Sequence, residues 1–378
     1  MSLRVLITGG AGFIGSHLSR RLLHEGHSVT VLDNFSPQVH AGRESLQPDL
    51  AGEVNLISGD VRDRESWRRA LPMQDVVVNL AAETGTGQSM YEVSRYEQVN
   101  LAGTANLYEL LTKEEARHVR RVIVASSRAV YGEGAYTCPH HGTVYPASRS
   151  KEDKIKGFFD PVCPLCGAQS DTVPTPESAP FQPASFYGLT KQVQEQMTLL
   201  FGQVLAIPSF ALRYQNVYGP GQSLHNPYTG ILAVFSNLAR EGKPINIFED
   251  GHESRDFVYV TDVVAATMAC IESEITGTHS FNVGSGERVT VSQVAEGIRA
   301  FFGSQSELCI TGAFREGDIR HGSADLSNIG SALGFQPTWR FEDGLKKFLE
   351  WTRESAPSSM AYDDSIREMK KRGLLHDA

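Results

Sequence analysis

The chain has 378 residues, of which 40% are hydrophobic and 21% charged, and its formal net charge is −9. This composition is ordinary for a folded globular protein and excludes a disordered chain, a coiled coil and a small disulfide scaffold. The acidic excess disfavours nucleic acid and anionic membranes as partners, although local arginines can still bind a small anion. Neither a membrane-spanning run nor a signal peptide is evident, and five cysteines are an odd number for a disulfide framework. We therefore expect a cytoplasmic protein.

Short apolar runs alternate with helical patterns over the first 130 residues, which is typical of βαβ units. Helices are predicted over Phe13–Glu25 and, as an amphipathic helix, over 343–354, and long helices are predicted over 89–116 and 186–206. We expect an α/β fold with a Rossmann-like, doubly wound parallel sheet. The predicted strands are Arg4–Thr8, Ser28–Asp33, Val54–Ser58, Val76–Leu80 and Arg121–Ser126.

The later part of the chain divides by composition. Residues 133–183 are rich in proline, cysteine and histidine with little periodicity, which predicts a Cys/His-containing insert. The sheet is expected from residues 1–132 together with 184–220. Residues 221–355 have shorter elements and more turns, and are expected to form mainly a smaller C-terminal lobe. The polar tail over 356–378 is predicted to be a surface helix or partly disordered.

A glycine-rich turn follows the first predicted strand and opens the first predicted helix. Gly9, Gly12 and Gly15 have GxxGxxG spacing, and glycine is needed because a side chain would block a pyrophosphate at the helix N-terminus. Asp33 ends the second strand, where a carboxylate can accept hydrogen bonds from an adenosine ribose and repel a 2′-phosphate. These features predict a dinucleotide site that favours NAD over NADP.

Tyr187 and Lys191 are four residues apart, so their side chains share one face of a predicted helix. A lysine ammonium at this position can lower the pKa of the phenol, which can then act as a base near neutral pH. Because this spacing is frequent in helices, the upstream Ser127 is the stronger signal. It lies at the end of a predicted strand, where its hydroxyl can hold a substrate oxygen beside the tyrosine.

On these motifs the sequence resembles the extended short-chain dehydrogenase/reductase family, in particular its nucleotide-sugar epimerases and dehydratases. The resemblance covers about residues 3–355 and rests on Thr8–Gly15, Asp60-Val61, Asn79–Ala82, Ser126–Gly132, Tyr187–Lys191, Arg213–Pro220 and Arg255–Asp262. It implies that Tyr187 is the acid/base, Ser127 its hydroxyl partner and Lys191 its modulator. It also implies NAD contacts at Phe13, Ile14, Asn34, Asp60, Val61, Leu80, Ala81, Ala82 and Asn100.

The resemblance further implies a nucleotide-diphosphate sugar as substrate and a homodimer formed through the helices over 89–116 and 186–206. Arg255 and Arg320 match diphosphate-binding arginines, a role that suits the planar fork of a guanidinium. The segment Asn226–Gly230 is expected to open a helix near the nucleotide. The other expected substrate contacts are Thr86, Gly87, Gln88, Ser127, Asn216 and Asn226.

The residues after Ser127 indicate which of the family's reactions to expect. In the dehydratases of the family an Asp–Glu pair follows the catalytic hydroxyl residue, whereas this chain has Arg128 and Ala129. We therefore expect a 4-epimerase that acts through a transient 4-keto sugar. A 4,6-dehydratase, a 4-ketoreductase, a decarboxylase and a non-catalytic NAD-binding scaffold are the alternatives. Segments 87–92 and 226–230, together with the insert, are most similar to dTDP-L-rhamnose 4-epimerases, whose product is dTDP-6-deoxy-L-talose.

The insert carries a C-x-x-H motif followed by a C-x-x-C motif, each with a glycine directly after it. Four such ligands suit tetrahedral Zn²⁺ and leave no open position, so the predicted zinc is structural. A disulfide between the last two cysteines, or four unrelated loop residues, are the alternatives. His140 competes with His141 as the histidine ligand. The predicted ligands are Cys138, His141, Cys163 and Cys166.

Overall fold

The computed structural model describes residues 2–113, 118–226, 230–355 and 362–377. The strands in chain order are β1 Arg4–Thr8, β2 Ser28–Asp33, β3 Asn55–Ser58, β4 Val76–Asn79, β5 Arg121–Ser127, β6 Tyr136–Cys138, β7 Gly142–Val144, β8 Asp171–Thr172, β9 Ser209–Tyr214, β10 Asn216–Tyr218, β11 Ile245–Ile247, β12 Ser254–Arg255, β13 Phe257–Tyr259, β14 Thr278–Val283, β15 Val289–Thr290, β16 Leu308–Ile310, β17 Phe314–Arg315 and β18 Leu375–His376.

The α-helices are α1 Phe13–His24, α2 Pro37–His40, α3 Arg64–Ala70, α4 Thr86–Ser89, α5 Val93–Tyr96, α6 Gly103–Leu111, α7 Lys151–Ile155, α8 Phe186–Val204, α9 Ile231–Arg240, α10 Val260–Glu272, α11 Val291–Phe302, α12 Ser327–Leu333, α13 Phe341–Glu354 and α14 Tyr362–Lys371. A π-helical segment covers Glu97–Ala102, and a 3₁₀-helix covers Arg128–Tyr131. Within the described ranges, no helix is long and apolar enough to cross a membrane.

Seven parallel strands form the central sheet, in the order β14–β9–β5–β4–β1–β2–β3. Alternate residues of β1 supply opposite faces: Val5 and Ile7 join one buried apolar cluster, and Leu6 joins another. The strands are apolar on both faces because helices cover both sides of the sheet. Strand order reverses between β1 and β4, which opens a crevice at their carboxyl ends. The predicted α/β fold with a doubly wound parallel sheet is confirmed.

The first five strands begin and end within one residue of their predicted positions, and α1 ends one residue early at His24. The long helix predicted over 89–116 is instead divided. After α5 the chain takes one π-helical segment before α6 begins at Gly103. A π-helical segment displaces side chains from the α-helical register, and here it carries Asn100 to a buried position. Residues 114–116 of that prediction lie outside the described residues.

A third apolar cluster lies in the C-terminal half and is built from α9, α11 and α13 with the parallel pairs β10–β13 and β11–β16. Helix α11 has a complete capping box, in which the Thr290 side chain accepts from the Gln293 backbone and Gln293 reaches back. The same half of the chain also supplies β14, the edge strand of the central sheet. The division into domains given above remains a prediction.

The polar tail packs back onto the protein through α14 and β18. Strand β18 pairs antiparallel with β17, with Leu375 opposite Arg315. Met369 and Leu375 are buried in a small apolar cluster that includes Phe248. The first part of the tail, 356–361, lies outside the described residues, so the predicted surface helix corresponds to α14.

Candidate active site

A cavity of about 580 Å³ lies at the carboxyl ends of the central strands and reaches into the C-terminal half. The predicted site residues in its wall are Gly9, Gly12, Phe13, Ile14, Asp33, Asn34, Val61, Leu80, Ala81, Ala82, Thr86, Ser127, Tyr187, Lys191, Asn216, Asn226 and Arg255. The predicted residues that the structure does not bring to this wall are Asp60, Gly87, Gln88, Asn100 and Arg320. Residues 227–229, expected near the nucleotide, lie outside the described residues.

The glycine turn between β1 and α1 has no room for side chains. Gly9 has φ of +68°, and a Cβ atom there would lie 3.0 Å from the Ala81 backbone. A Cβ atom on Gly15 would lie 2.5 Å from the carbonyl oxygen of Gly9. Gly12 precedes α1 without a side-chain cap, so the first N–H groups of the helix remain available to an anion. The turn therefore fits the pyrophosphate of a dinucleotide.

Asp33 is fixed in the cavity wall by backbone donors. Its carboxylate accepts hydrogen bonds from the N–H groups of Ala11, at 3.0 Å, and Phe35, at 2.8 Å. His40 Nε2 lies 3.3 Å from the same carboxylate. Arg43, which sequence reasoning missed, also lines the wall and donates to the Ala11 carbonyl. The carboxylate is thus held where it can accept from ribose hydroxyls.

Ser127 and Tyr187 meet at the carboxyl end of β5. Ser127 is the last residue of that strand, and Tyr187 lies in the first turn of α8. The backbone N–H of Tyr187 donates to Ser89 Oγ at 3.0 Å, which ties the start of α8 to α4. Burial raises the pKa of the Tyr187 phenol, while its hydrogen bond with Ser127 and the positive charge of Arg128 act in the opposite direction.

Lys191 lies one helical turn after Tyr187 and is buried in the cavity wall. Its Nζ donates to the Ala125 carbonyl and to Gln194 Oε1, both at 2.8 Å. Burial lowers the pKa of this ammonium to about 7, because desolvation disfavours its charged form. Neither of these hydrogen bonds goes to the Tyr187 phenol. The structure therefore shows no direct hydrogen bond through which Lys191 would lower the pKa of that phenol.

Asn100 lies behind the cavity wall and joins two of its parts. Its Nδ2 donates to the Glu83 carbonyl at 3.1 Å and to Thr190 Oγ1 at 3.0 Å. Its Oδ1 accepts from the Glu83 N–H at 2.9 Å. Since Glu83 follows β4 and Thr190 lies between Tyr187 and Lys191, this amide fixes α8 against the end of β4. We therefore regard Asn100 as a positioning residue.

Arg320 does not line the cavity and is 2% exposed. Its guanidinium donates to Asp160 at 2.7 Å, to Asp250 at 2.6 Å and to Glu249 at 3.0 Å. These carboxylates satisfy the side chain, so the structure does not support the expected diphosphate contact. The backbone carbonyl of Arg320 instead accepts from Arg255 Nη1 at 3.1 Å, which helps to orient that arginine.

The insert brings together the four predicted metal ligands. Their ligand atoms all lie within 4.8 Å of one another, and the histidine is His141 rather than His140. Cys138 Sγ lies 3.7 Å from Cys166 Sγ and 3.6 Å from His141 Nδ1. A Zn²⁺ ion with Zn–S bonds of about 2.3 Å in a tetrahedron requires S–S separations of roughly 3.8 Å. The cluster geometry therefore fits tetrahedral zinc.

Backbone groups around this cluster favour the thiolate form of Cys163. Burial opposes ionisation of Cys163, but hydrogen bonds from the Leu165 and Cys166 backbone and from Cys138 hold the pKa of its thiol at about 6. The remaining two cysteines, Cys270 and Cys309, lie in α10 and β16, away from the cluster.

Comparison with known proteins agrees with the fold. The model of the NAD dependent epimerase/dehydratase family matches residues 5–152 and 163–284. The chain belongs to this family.

Among characterised relatives, the dTDP-L-rhamnose 4-epimerase of Burkholderia thailandensis is 39% identical over 352 residues, which cover 92% of this chain and 94% of that protein. The UDP-glucose 4-epimerase of Thermotoga maritima, solved with UDP-glucose, has a TM-score of 0.75 and 29% identity, covering 93% of this chain and 99% of that one. The Thermus thermophilus UDP-glucose 4-epimerase solved with NAD has a TM-score of 0.72 and 28% identity, covering 94% and 100%. These comparisons confirm the prediction of an NAD-dependent epimerase.

Proposed function

We propose that this protein is a nucleotide-sugar 4-epimerase that interconverts dTDP-L-rhamnose and dTDP-6-deoxy-L-talose. The placement of Ser127 and Tyr187 carries the proposal, since both side chains line the same cavity as the glycine turn and Asp33. The similarity to the Burkholderia enzyme over almost the whole of both chains supports this choice of sugar nucleotide.

The side chains of the site account for proton transfer at the sugar. Tyr187 receives the proton of the 4-hydroxyl as C4 is oxidised, and it returns the proton to the same oxygen when C4 is reduced. Ser127 donates a hydrogen bond to that oxygen and keeps it beside the phenol. Bound NAD supplies a reversible hydride acceptor at C4, so the reaction has no net redox change. Between the two hydride transfers the 4-keto sugar rotates in the site. Hydride then returns to the opposite face of C4, which inverts the configuration there.

The residues after Ser127 support an epimerase over a dehydratase. Elimination of water across C5–C6 needs an additional acid and an additional base near the sugar. Ala129 has no ionisable group, and the guanidinium of Arg128 stays protonated even where burial lowers its pKa to about 10. A net 4-ketoreductase is disfavoured because Asp33 opposes the 2′-phosphate of NADPH.

Incubation of the purified protein with dTDP-L-rhamnose tests the proposal. The expected product is the 4-epimer, formed without accumulation of NADH. Parallel incubations with UDP-glucose and UDP-glucuronic acid measure selectivity for the nucleotide and the sugar. A 4-keto-6-deoxy product from dTDP-glucose would establish the dehydratase instead.

We also propose that Cys138, His141, Cys163 and Cys166 bind one structural Zn²⁺. The ligand separations within the cluster support this assignment, as does the closed set of four ligands, which leaves no position for substrate or water. Metal analysis of the purified protein should detect zinc in a one-to-one ratio with the chain.

We further propose a homodimer formed through α8 and the segment containing α4 and α5. Exposed apolar side chains support this interface: Met90, Val93, Leu189, Leu200 and Val204 are each more than a third exposed. Sedimentation at micromolar concentration should give the mass of a dimer, and a monomer at all concentrations would contradict it.

A further inference from the structure

Two arginines lie side by side in the wall of the cavity. A Cβ atom on Gly322 would lie 3.7 Å from Arg128 Cδ and 3.8 Å from Arg255 Cδ, so both side chains pass over the same glycine. Both line the cavity together with Ser127 and Tyr187. Arg128 directly follows Ser127, so it is carried to this position by the strand that supplies the catalytic hydroxyl.

Neither guanidinium forms a direct ion pair with a carboxylate among the described residues, and the charge of Asp318 acts on both only at longer range. Arg255 donates only to the backbone carbonyls of Ser254, Ile319 and Arg320, at 2.8, 2.9 and 3.1 Å. In the part of the chain that the structure describes, no carboxylate oxygen lies within 4.0 Å of Arg128 or Arg255. The nearby Asp318 pairs with Arg315 at 3.3 Å instead.

Two adjacent, partly buried cations with no carboxylate in direct contact are unfavourable, because each repels the other. Burial and the charge of Arg255 together lower the pKa of Arg128 to about 10. A bound anion removes this repulsion, and an arginine pair suits phosphate because each guanidinium can present two parallel N–H donors. The wall beside the catalytic pair is therefore built to receive an anionic group.

We propose that Arg128, paired with Arg255, binds an anionic oxygen of the diphosphate that links the nucleoside to the sugar. The inference rests on the proposed nucleotide-sugar function and deepens it. Arg128 takes the contact that the sequence pattern assigned to Arg320, whose guanidinium is already held by Asp160, Glu249 and Asp250. Since Arg128 adjoins Ser127, diphosphate binding and the alignment of the sugar hydroxyl depend on the same short segment.

Calorimetric titration of the NAD-bound protein with dTDP and with UDP tests the pairing. Arg128→Met should weaken nucleoside diphosphate binding on the order of 10- to 100-fold, because a charged hydrogen bond is lost. Arg128→Lys should bind with intermediate affinity, since it keeps the charge but loses the planar fork. Arg340→Met is the matched control because the Arg340 side chain is 72% exposed, and its affinity should equal that of the wild type.

A pH profile supplies a second readout that a purely structural role would not change. Arg128 lowers the pKa of the Tyr187 phenol through its charge. The acidic limb of kcat/KM should therefore move to higher pH in Arg128→Met, and return towards the wild-type position in Arg128→Lys. Unchanged melting temperature and NAD affinity would show that the variants are folded.

The outcomes separate the two proposals. Wild-type protein that binds neither dTDP nor UDP would contradict the nucleotide-sugar function itself. Wild-type binding that persists undiminished in Arg128→Met would overturn only the role of Arg128. Loss of affinity for dTDP-L-rhamnose with intact dTDP binding would assign Arg128 to the sugar ring, and would also overturn the diphosphate contact.

Discussion

Arg149 Nη1 lies 2.9 Å from each carboxylate oxygen of Glu249, and this contact joins the insert to the cavity wall. The same guanidinium donates to Glu133 at 2.8 Å and to the backbone carbonyl of Asp318 at 3.0 Å. Because Asp318 also lines the cavity, the insert fixes the loop that adjoins the paired arginines. We infer that the insert is a brace for the substrate end of the site.

Because the insert fixes the substrate end of the site, we expect that loss of zinc affects substrate binding more than cofactor binding. Removal of zinc with a chelator should lower the melting temperature and weaken nucleotide-sugar binding, while NAD affinity stays close to its original value. Cys163→Ser should lose zinc, whereas Cys309→Ser, outside the cluster, should keep it. Calorimetry and metal analysis on each preparation provide the measurement. An intact fold after chelation, with no stoichiometric zinc before it, would contradict the metal site.

Replacement of Tyr187 by phenylalanine should abolish most of the epimerase activity. The change removes the proposed acid/base, so kcat should fall by about 10²- to 10⁴-fold. NAD binding should persist, because the glycine turn is untouched. Tyr108→Phe is a suitable control, since Tyr108 is buried outside the cavity and stacks on Phe201. Equal rates for wild type and Tyr187→Phe would exclude the proposed acid/base.

Asp33→Asn keeps the size of the side chain and removes its charge. NADH binding should weaken by about 10- to 100-fold, because hydrogen bonds to a carboxylate are stronger than those to an amide. NADPH should bind relatively better, since repulsion of its 2′-phosphate is relieved. Fluorescence titration with both cofactors measures the change. Asp60→Asn is the comparison, because Asp60 itself does not line the cavity and pairs with Arg62 and with Asn34, so the change should alter the preference little.

Lys191 should make the stability of the cofactor-free protein depend on pH. Burial lowers the pKa of Lys191 to about 7 in the folded state, below its ordinary value of 10.5, so the unfolded chain binds the extra proton between these values. The destabilisation is fully present below about pH 7 and disappears as pH rises towards 10.5. Relative to Lys191→Met, the wild type should therefore gain stability over this window. Urea unfolding of both proteins at several pH values tests this. If the unfolding free energies of the two proteins changed in parallel with pH, Lys191 would have its ordinary pKa in the folded protein.

Local signals account for the parts of the fold that the sequence predicts well. Strand β1, the glycine turn and α1 are adjacent in the chain, so apolar alternation and glycine spacing are sufficient to identify them. The partners of the Arg320 guanidinium could not be predicted in this way, because Asp250 and Asp160 lie 70 and 160 positions away along the chain. Only the folded chain determines which guanidinium meets those carboxylates and which remains available to a ligand.

The C-terminal tail illustrates a second limit. Its apolar residues are sparse among charges, so the sequence indicates only a surface helix. In the folded protein Met369 packs beside the α4 glycine Gly87, and Tyr362 reaches the cavity wall. These contacts depend on surfaces formed by distant segments. The Cys/His spacing, by contrast, was sufficient to predict which four side chains come together in the insert, because a knuckle is defined by two-residue intervals.

The position of β14 has a consequence for synthesis. Its residues, Thr278–Val283, hydrogen-bond along β9, which precedes them by about 70 positions. During translation the nascent sheet therefore exposes the edge of β9 until β14 has left the ribosome, after the whole insert has already emerged. Zinc binding at the proposed site in the insert would then precede completion of the sheet. Metal starvation during expression should therefore increase the yield of aggregated chains, even where refolded protein binds NAD normally.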